Sequence, residues 1–184
     1  MVRHEQINPE DTQLLDEGNP HLDQDQSESE LLETAQSLME IKRVDGVYCG
    51  TLHRMTETLH ELRQELPDLP DGEYDPRLNV LTTYHKGVIY PKGVEEPMTT
   101  YGVQLLQFFA ELARKHGPDS TVLLVTSGGR MAPARALAQG LTFESEKAMI
   151  AWTLDKANAK LGEAWTFDFD PATHAIKETT LRSP

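Results

Sequence analysis

Three stretches of this chain carry residue types that could do chemistry together. They are Val2-Arg3-His4, the run from Val47 to Thr58 (Val-Tyr-Cys-Gly-Thr-Leu-His-Arg-Met-Thr-Glu-Thr), and the run from Val122 to Gly129 (Val-Leu-Leu-Val-Thr-Ser-Gly-Gly). The second and third are strand-to-helix junctions, and the first is one too if a strand precedes it. The free N–H groups at a helix start favour negative charge, so three such junctions meeting at one place would hold an anion. Arg3, Arg54 and His4 add cationic or titratable side chains to those stretches. Taken singly, an Arg-His pair near a terminus reads as a solvated tail and Arg54 as a surface charge on a helix. It is the joint pattern that points to a pocket.

The rest of the sequence supplies elements to position them. Residues 5–26 are polar and irregular, with Pro9, Gly18 and Pro20, and read as a long loop. Ser27-Glu28-Ser29-Glu30 offers a capping box for a first helix with Leu31, Leu32, Ala35, Leu38 and Met39 at helical spacing. A short strand follows over Gly46–Cys49. A second helix runs from about Leu52 to Leu66, with Leu52, Met55, Leu59, Leu62 and Leu66 on one face and Pro67 and Pro70 ending it. Residues 67–97 are rich in Pro and Gly and read as turns.

A third helix spans about Thr99 to His116, with Val103, Leu106, Phe109, Ala110 and Ala113 facing inward and Gly117-Pro118 stopping it. Thr121–Val125 is an apolar run, as expected of a strand covered on both faces. Gly128-Gly129 leads into a helix from about Ala132 to Gln139. The tail, 163–181, reads as a hairpin turning at Asp170-Pro171. Alternating helices and strands predict a three-layer αβα domain with a mainly parallel sheet, a single domain over 1–184. Ligands of such sheets bind beyond the carboxyl ends of the strands.

Composition bounds the function. The chain has 184 residues, with 38% hydrophobic and 26% charged, which is the make-up of a globular domain. Lys+Arg number 17 against Asp+Glu 30, a formal net charge of −13. That field repels nucleic acid and anionic membrane surfaces, so neither is an expected partner. A phosphate site has to be a local basic pocket set against the global charge. The single cysteine, Cys49, lies in an apolar run and reads as a buried structural thiol. No Cys/His spacing suits zinc, and no metal or cofactor is called for. Without a membrane-length apolar run or a signal-peptide core, the chain reads as cytoplasmic.

In these residues the chain resembles the histidine phosphatase (phosphoglycerate mutase-like) superfamily. That family opens with a strand and Arg-His-Gly, continues with Ser-x-Leu-x-Arg-Ala-x-x-Thr, and later runs a strand into Ser-His-Gly-Gly. Val2-Arg3-His4 looks like the first motif. Gly50–Thr58 looks like the second, with Leu52, Arg54 and Thr58 in register. Asp75-Pro76-Arg77-Leu78 looks like the family's Asp-Pro-Arg-Leu, and Val125-Thr126-Ser127-Gly128-Gly129 like the last motif. The resemblance spans nearly the whole chain in order.

By that resemblance His4 is the catalytic nucleophile that accepts a phosphoryl group, and Arg3, Arg54, Ser127 and Gly128 bind the phosphate. The expected partner is a phosphorylated small molecule or a phosphoprotein. Three positions depart from the pattern. Ser127 replaces the family's second histidine, Val80 stands where many members carry a catalytic acid, and Glu5 replaces the glycine after the histidine. Ser127 brings no charge and Val80 no proton. Only Met1 and Val2 precede Arg3, leaving little for the family's first, central strand.

His53 is one position from Arg54 and is expected to face elsewhere. His85 reads as a surface loop residue. Arg130 could restore the missing positive charge, and Glu95-Glu96 could supply an acid. The expectation is a divergent histidine phosphatase-like protein that binds a phosphorylated ligand with weak or lost hydrolysis. The alternatives are an active phosphatase using His4 with unusual supporting groups, and a non-enzymatic interaction protein.

Overall fold

The structure, a computed structural model, describes residues 1–3, 24–41, 43–79, 82–85, 88–91, 99–141, 148, 152 and 163–179. Its centre is a four-stranded parallel sheet in the order β1-β6-β2-β3, with β1 Val2–Arg3, β2 Gly46–Cys49, β3 Gly72–Tyr74 and β6 Val122–Thr126. The two apolar runs read as strands are the two inner ones. Their side chains alternate between faces, as the pleat requires. Val47, Cys49, Leu123 and Val125 pack with Ala35 and Leu38 of α1 (Gln24–Met39) and with Met55, Leu59 and Leu62 of α2 (His53–Glu65). Tyr48 and Leu124 pack on the other side with Leu105, Phe108, Phe109 and Leu112 of α3 (Thr99–His116) and Ala134 of α4 (Gly128–Ala138). Helices on both faces make three layers, as expected. No helix among the described residues is long and apolar enough to cross a membrane.

Several boundaries differ from the sequence expectation. α1 begins at Gln24, so 24–26 belong to a helix rather than to the polar loop, and Ser27 lies within the helix instead of capping it. Ala35 and Leu38 are buried, but Leu32 and Met39 face out. On α3 Phe109 is buried as expected, but its companions in the buried stripe are Leu105, Phe108 and Leu112, about one position out of phase with the rest of the expected face, and the side chain of Val103 lies outside the described residues. Leu106, Ala110 and Ala113 are half-buried at the margin of the stripe. Two large aromatics at adjacent positions fix the stripe because they bury the most area.

α4 begins at Gly128, four residues before the expected Ala132. Pro133 falls inside it. Pro133 is the sixth residue of the helix, so it removes the N–H that would bond to the Gly129 carbonyl and its ring crowds that carbonyl, a local cost in the second turn.

The stretch read only as turns, 67–97, also holds β3 and an antiparallel pair, β4 (Thr82–His85) with β5 (Val88–Pro91). β3 is a half-exposed edge strand of three residues, too short and too polar to show a period.

The C-terminal hairpin pairs β7 (Thr166–Asp170) with β8 (Ala175–Thr179) in antiparallel register. Asp170 sits at the end of β7, and its carboxylate accepts the Ala172 N–H at 2.8 Å. The hairpin is held to α4 by Arg135, whose guanidinium pairs with Glu178 and lies 3.2 Å from the centre of the Trp165 ring. The segment before β7 covers the open side of β1, through an antiparallel bridge from Ala164 to Val2 and a 2.7 Å bond from the Trp165 N–H to the Met1 carbonyl. The two-residue β1 is therefore flanked on both sides.

Candidate phosphate site at the carboxyl rim of the sheet

Parallel register sets the level at which the candidate residues of the described strands and turns leave the sheet. Arg3 lies opposite Thr126, and Cys49 lies opposite both Val125 and Tyr74. The turns after β1, β2, β3 and β6 therefore leave the sheet at one rim, the place where such sheets bind ligands.

Arg54 stands on the second residue of α2, immediately past that rim, and is buried to 8% exposure. The Thr58 hydroxyl bonds to the Arg54 carbonyl at 2.7 Å and is fully buried with it. The Arg54-x-x-x-Thr58 pair is thus a packed unit of the helix. His53, beside it, is exposed, as the one-residue offset predicted. A buried guanidinium is rarely tolerated without anionic or hydrogen-bonding company, which removes the surface-charge reading of Arg54.

Ser127 is the N-cap residue of α4, yet its hydroxyl does not cap the helix. The residue is 2% exposed, and its Oγ finds no hydrogen-bond partner among the described residues. A buried hydroxyl without a partner costs free energy unless something is brought to it. Gly128 follows as the first helical residue and presents its N–H at the same helix start.

Thr126, Thr51 and Asn79 were not singled out in the sequence. The Thr126 hydroxyl, fully buried, donates to the Leu78 carbonyl at 2.6 Å. Asn79 bonds through both ends of its carboxamide to Thr51, at 2.7 Å each. The available signal was position: Thr126 directly precedes Ser127, and Asn79 directly follows Asp75-Pro76-Arg77-Leu78.

That last motif forms a single 3-10 turn, Pro76–Leu78, with Asp75 capping it through the Arg77 N–H at 2.8 Å. The Arg77 guanidinium also chelates Asp75, reaches Glu111 of α3 at 2.6 Å and lies over the Phe108 ring. Its hydrogen bonds hold the Asp75 carboxyl below the usual carboxylate range. Arg77 is therefore spent on structure and is not available for a ligand. Cys49 is fully buried, and burial pushes its thiol up to about 12, which suits the structural reading and not a nucleophile.

Of the residues assigned to the site, the structure brings Ser127, Gly128 and the backbone of Arg3 together through β1–β6 pairing, and it places Arg54 at the same rim. His4, Glu5, Val80 and Glu95-Glu96 lie outside the described residues, and His85 and Arg130 are described by backbone only.

The chain matches no protein-family model and no curated protein sequence. Solved structures are similar over nearly its full length. A mycobacterial glucosyl-3-phosphoglycerate phosphatase superposes with a TM-score of 0.64 at 16% identity, covering 97% of this chain and 95% of that one. A mutant phosphoserine phosphatase from Entamoeba histolytica, solved with phosphoserine, gives 0.67 at 13% identity over 97% and 93%. The Bacillus stearothermophilus protein YhfR gives 0.65 at 14% identity over 96% and 92%. At these identities the likeness concerns the fold alone.

Proposed function

The chain has a histidine phosphatase-like fold, and from that premise we propose that it binds a phosphate monoester at the carboxyl rim of its sheet, with weak or lost hydrolysis. One observation carries the reading. A buried arginine at the start of α2 and a buried serine hydroxyl with no partner among the described residues at the start of α4 stand at the same rim. A phosphate group would supply the acceptor that Ser127 Oγ lacks among the described residues, and its oxygens match the planar fork of a guanidinium at the same rim.

In this reading Arg3 and Arg54 hold phosphate oxygens, Ser127 and the Gly128 N–H donate to them, and His4 occupies the phosphoryl-acceptor position. Neutral Ser127 in place of an imidazolium removes charge stabilisation from the transition state, and Val80 removes the general acid. Binding then outlasts turnover. The ligand is a phosphorylated small molecule or a phosphoprotein. The mycobacterial and amoebic neighbours, named for a phosphorylated sugar acid and for phosphoserine, favour the small molecule. The near-complete coverage of both chains supports one domain over 1–184, and the lone buried cysteine fits a cytoplasmic setting.

Titration of the full chain with inorganic phosphate or vanadate, followed by the histidine and arginine NMR signals, tests the reading. Saturable shifts of His4 and Arg54 are expected. Shifts confined to another region would overturn it.

A further inference from the structure

The end of β6 and the turns that follow β2 and β3 are each bonded to the other two. The Gly50 N–H donates to the Val125 carbonyl at 3.0 Å, continuing the sheet one step past β2. The Thr126 hydroxyl donates to the Leu78 carbonyl at 2.6 Å. The Thr51 N–H donates to Asn79 Oδ1 at 2.7 Å, and Asn79 Nδ2 donates to Thr51 Oγ1 at 2.7 Å. The Asp75 N–H adds a 2.8 Å bond to the Cys49 carbonyl. The result is a closed triangle at the rim, with a side-chain clasp as its β2–β3 edge.

Gly50 is what lets the triangle close. A Cβ at this position would stand 2.2 Å from Met55 Sδ and 2.8 Å from Asn79 Oδ1, so any larger residue displaces the clasp or the helix behind it. The clasp is matched to a carboxamide. It needs one acceptor and one donor on the same flat group, because Thr51 offers an N–H on one side and a hydroxyl oxygen on the other. Arg54 follows Thr51 by three residues, and its helix begins where the clasp fixes the chain.

We infer that Asn79 is a positioning residue for the rim pocket: by gripping Thr51 it sets the start of α2, and with it the Arg54 guanidinium, against Ser127 and the α4 N-terminus. The inference rests on the phosphate-binding reading above. Both clasp bonds lie at an exposed edge. Water replaces them when they are lost, so stability changes little while the geometry of Arg54 loosens.

The test uses the full chain as wild type and as Asn79→Ala, Thr51→Val, Arg54→Ala and the Asn79→Ala/Arg54→Ala double variant. Inorganic phosphate affinity, the thermal midpoint and the Arg54 Nε–H resonance are measured for each. Asn79→Ala is expected to weaken phosphate binding about tenfold, the scale set by losing a supporting hydrogen bond behind a ligating group. Its melting point should stay close to wild type. Thr51→Val, which keeps the N–H bond, should weaken binding less and guards against a folding failure in Asn79→Ala. If Asn79 acts through Arg54, removing it in the Arg54→Ala background changes affinity no further.

Wild-type phosphate affinity in Asn79→Ala, with Arg54→Ala impaired, overturns the inference and leaves the binding site standing. No phosphate binding by wild type overturns the site. In that case an Arg54 Nε–H signal that moves in unliganded Asn79→Ala still supports the positioning role, and one that does not move ends it.

Discussion

Arg3 and Thr126 are directly opposed across the parallel β1–β6 pair, so the first and last motifs of the chain, separated by most of its length, end side by side. The residue after Thr126 is the buried Ser127. That register turns a resemblance read along the sequence into a shared rim, because a slip of one residue would move every side chain to the other face. The two-residue β1 suffices for this because it is bonded on one side to β6 and bridged on the other by Ala164.

Arg54 is the proposed site cation whose burial is described, and its removal gives the first prediction. Hydrogen bonds to charged groups contribute about 1.5–3 kcal/mol, so Arg54→Ala should weaken phosphate binding about ten- to hundredfold. Arg54→Lys keeps the charge but loses the planar fork, and should recover only part of the loss. Isothermal titration with inorganic phosphate measures both. Equal affinities for wild type and Arg54→Ala would remove Arg54 from the site.

The central strands and the rim motifs were legible because their signals are local. Gly46–Cys49 and Val122–Val125 are apolar runs, and α2 repeats Met55, Leu59 and Leu62 at helical spacing. What escaped was set by pairing partners far away in sequence. β3 is a three-residue polar edge that exists because it continues the ladder from β2. Asn79 and Thr51 are ordinary polar residues until the fold brings them within 2.7 Å. The inward stripe of α3 was read one position out because an Ala- and Leu-rich helix offers several apolar faces, and only packing of Phe108 on Tyr48 and Phe109 on Phe169 chooses among them. The start of α4 was read late because Gly128-Gly129 looks like a turn before the helix, whereas both glycines belong to its first turn.

The C-terminal hairpin depends on Arg135. Its guanidinium pairs with Glu178 on β8 and stacks on Trp165, and both carboxylate and guanidinium are mostly shielded. A shielded pair with a stacked ring lies between an exposed pair, about 0.2–1 kcal/mol, and a fully buried one, about 3–5 kcal/mol. Arg135→Ala is expected to cost about 1–3 kcal/mol in urea unfolding and to raise hydrogen exchange first in β7 and β8. Unchanged hairpin protection would show that Arg135 does not anchor it.

Cys49 gives a pH dependence with a definite sign. Burial raises its thiol from 9.0 to about 12, so the folded state favours the neutral form. The unfolded chain binds fewer protons than the folded one between those values. This contribution to stability is therefore intact below about pH 9 and is lost as pH rises towards 12. Cys49→Ala should flatten the alkaline fall in unfolding free energy relative to wild type. The same burial predicts that iodoacetamide labels Cys49 at pH 8 only on unfolding, which mass spectrometry with and without urea would read out. Rapid labelling of the folded chain would contradict the buried setting.

The last prediction concerns turnover. Loss of one transition-state donor costs about 10²–10³ in rate, and loss of general acid catalysis about 10²–10⁴. The two need not multiply, since residues acting as a unit are not additive. Hydrolysis of an aryl phosphate by the wild-type chain is expected to be weak or undetectable. An aryl leaving group needs little protonation, so this substrate is lenient on Val80 and isolates the missing charge at Ser127. Ser127→His places an imidazole at the α4 N-cap, where the serine side chain neither caps the helix nor bonds to a described neighbour. The substitution should raise the rate by at least about tenfold, a fraction of what one donor supplies, and the gain should vanish in the Ser127→His/His4→Ala double variant. The site is 2% exposed, so thermal unfolding of Ser127→His must accompany the assay to show that the larger ring is accommodated. Strong wild-type activity lost in His4→Ala would mean that other groups replace the missing imidazolium. A folded Ser127→His variant that gains no activity, on a chain that binds no phosphate, would mean that the rim is no longer a phosphate site.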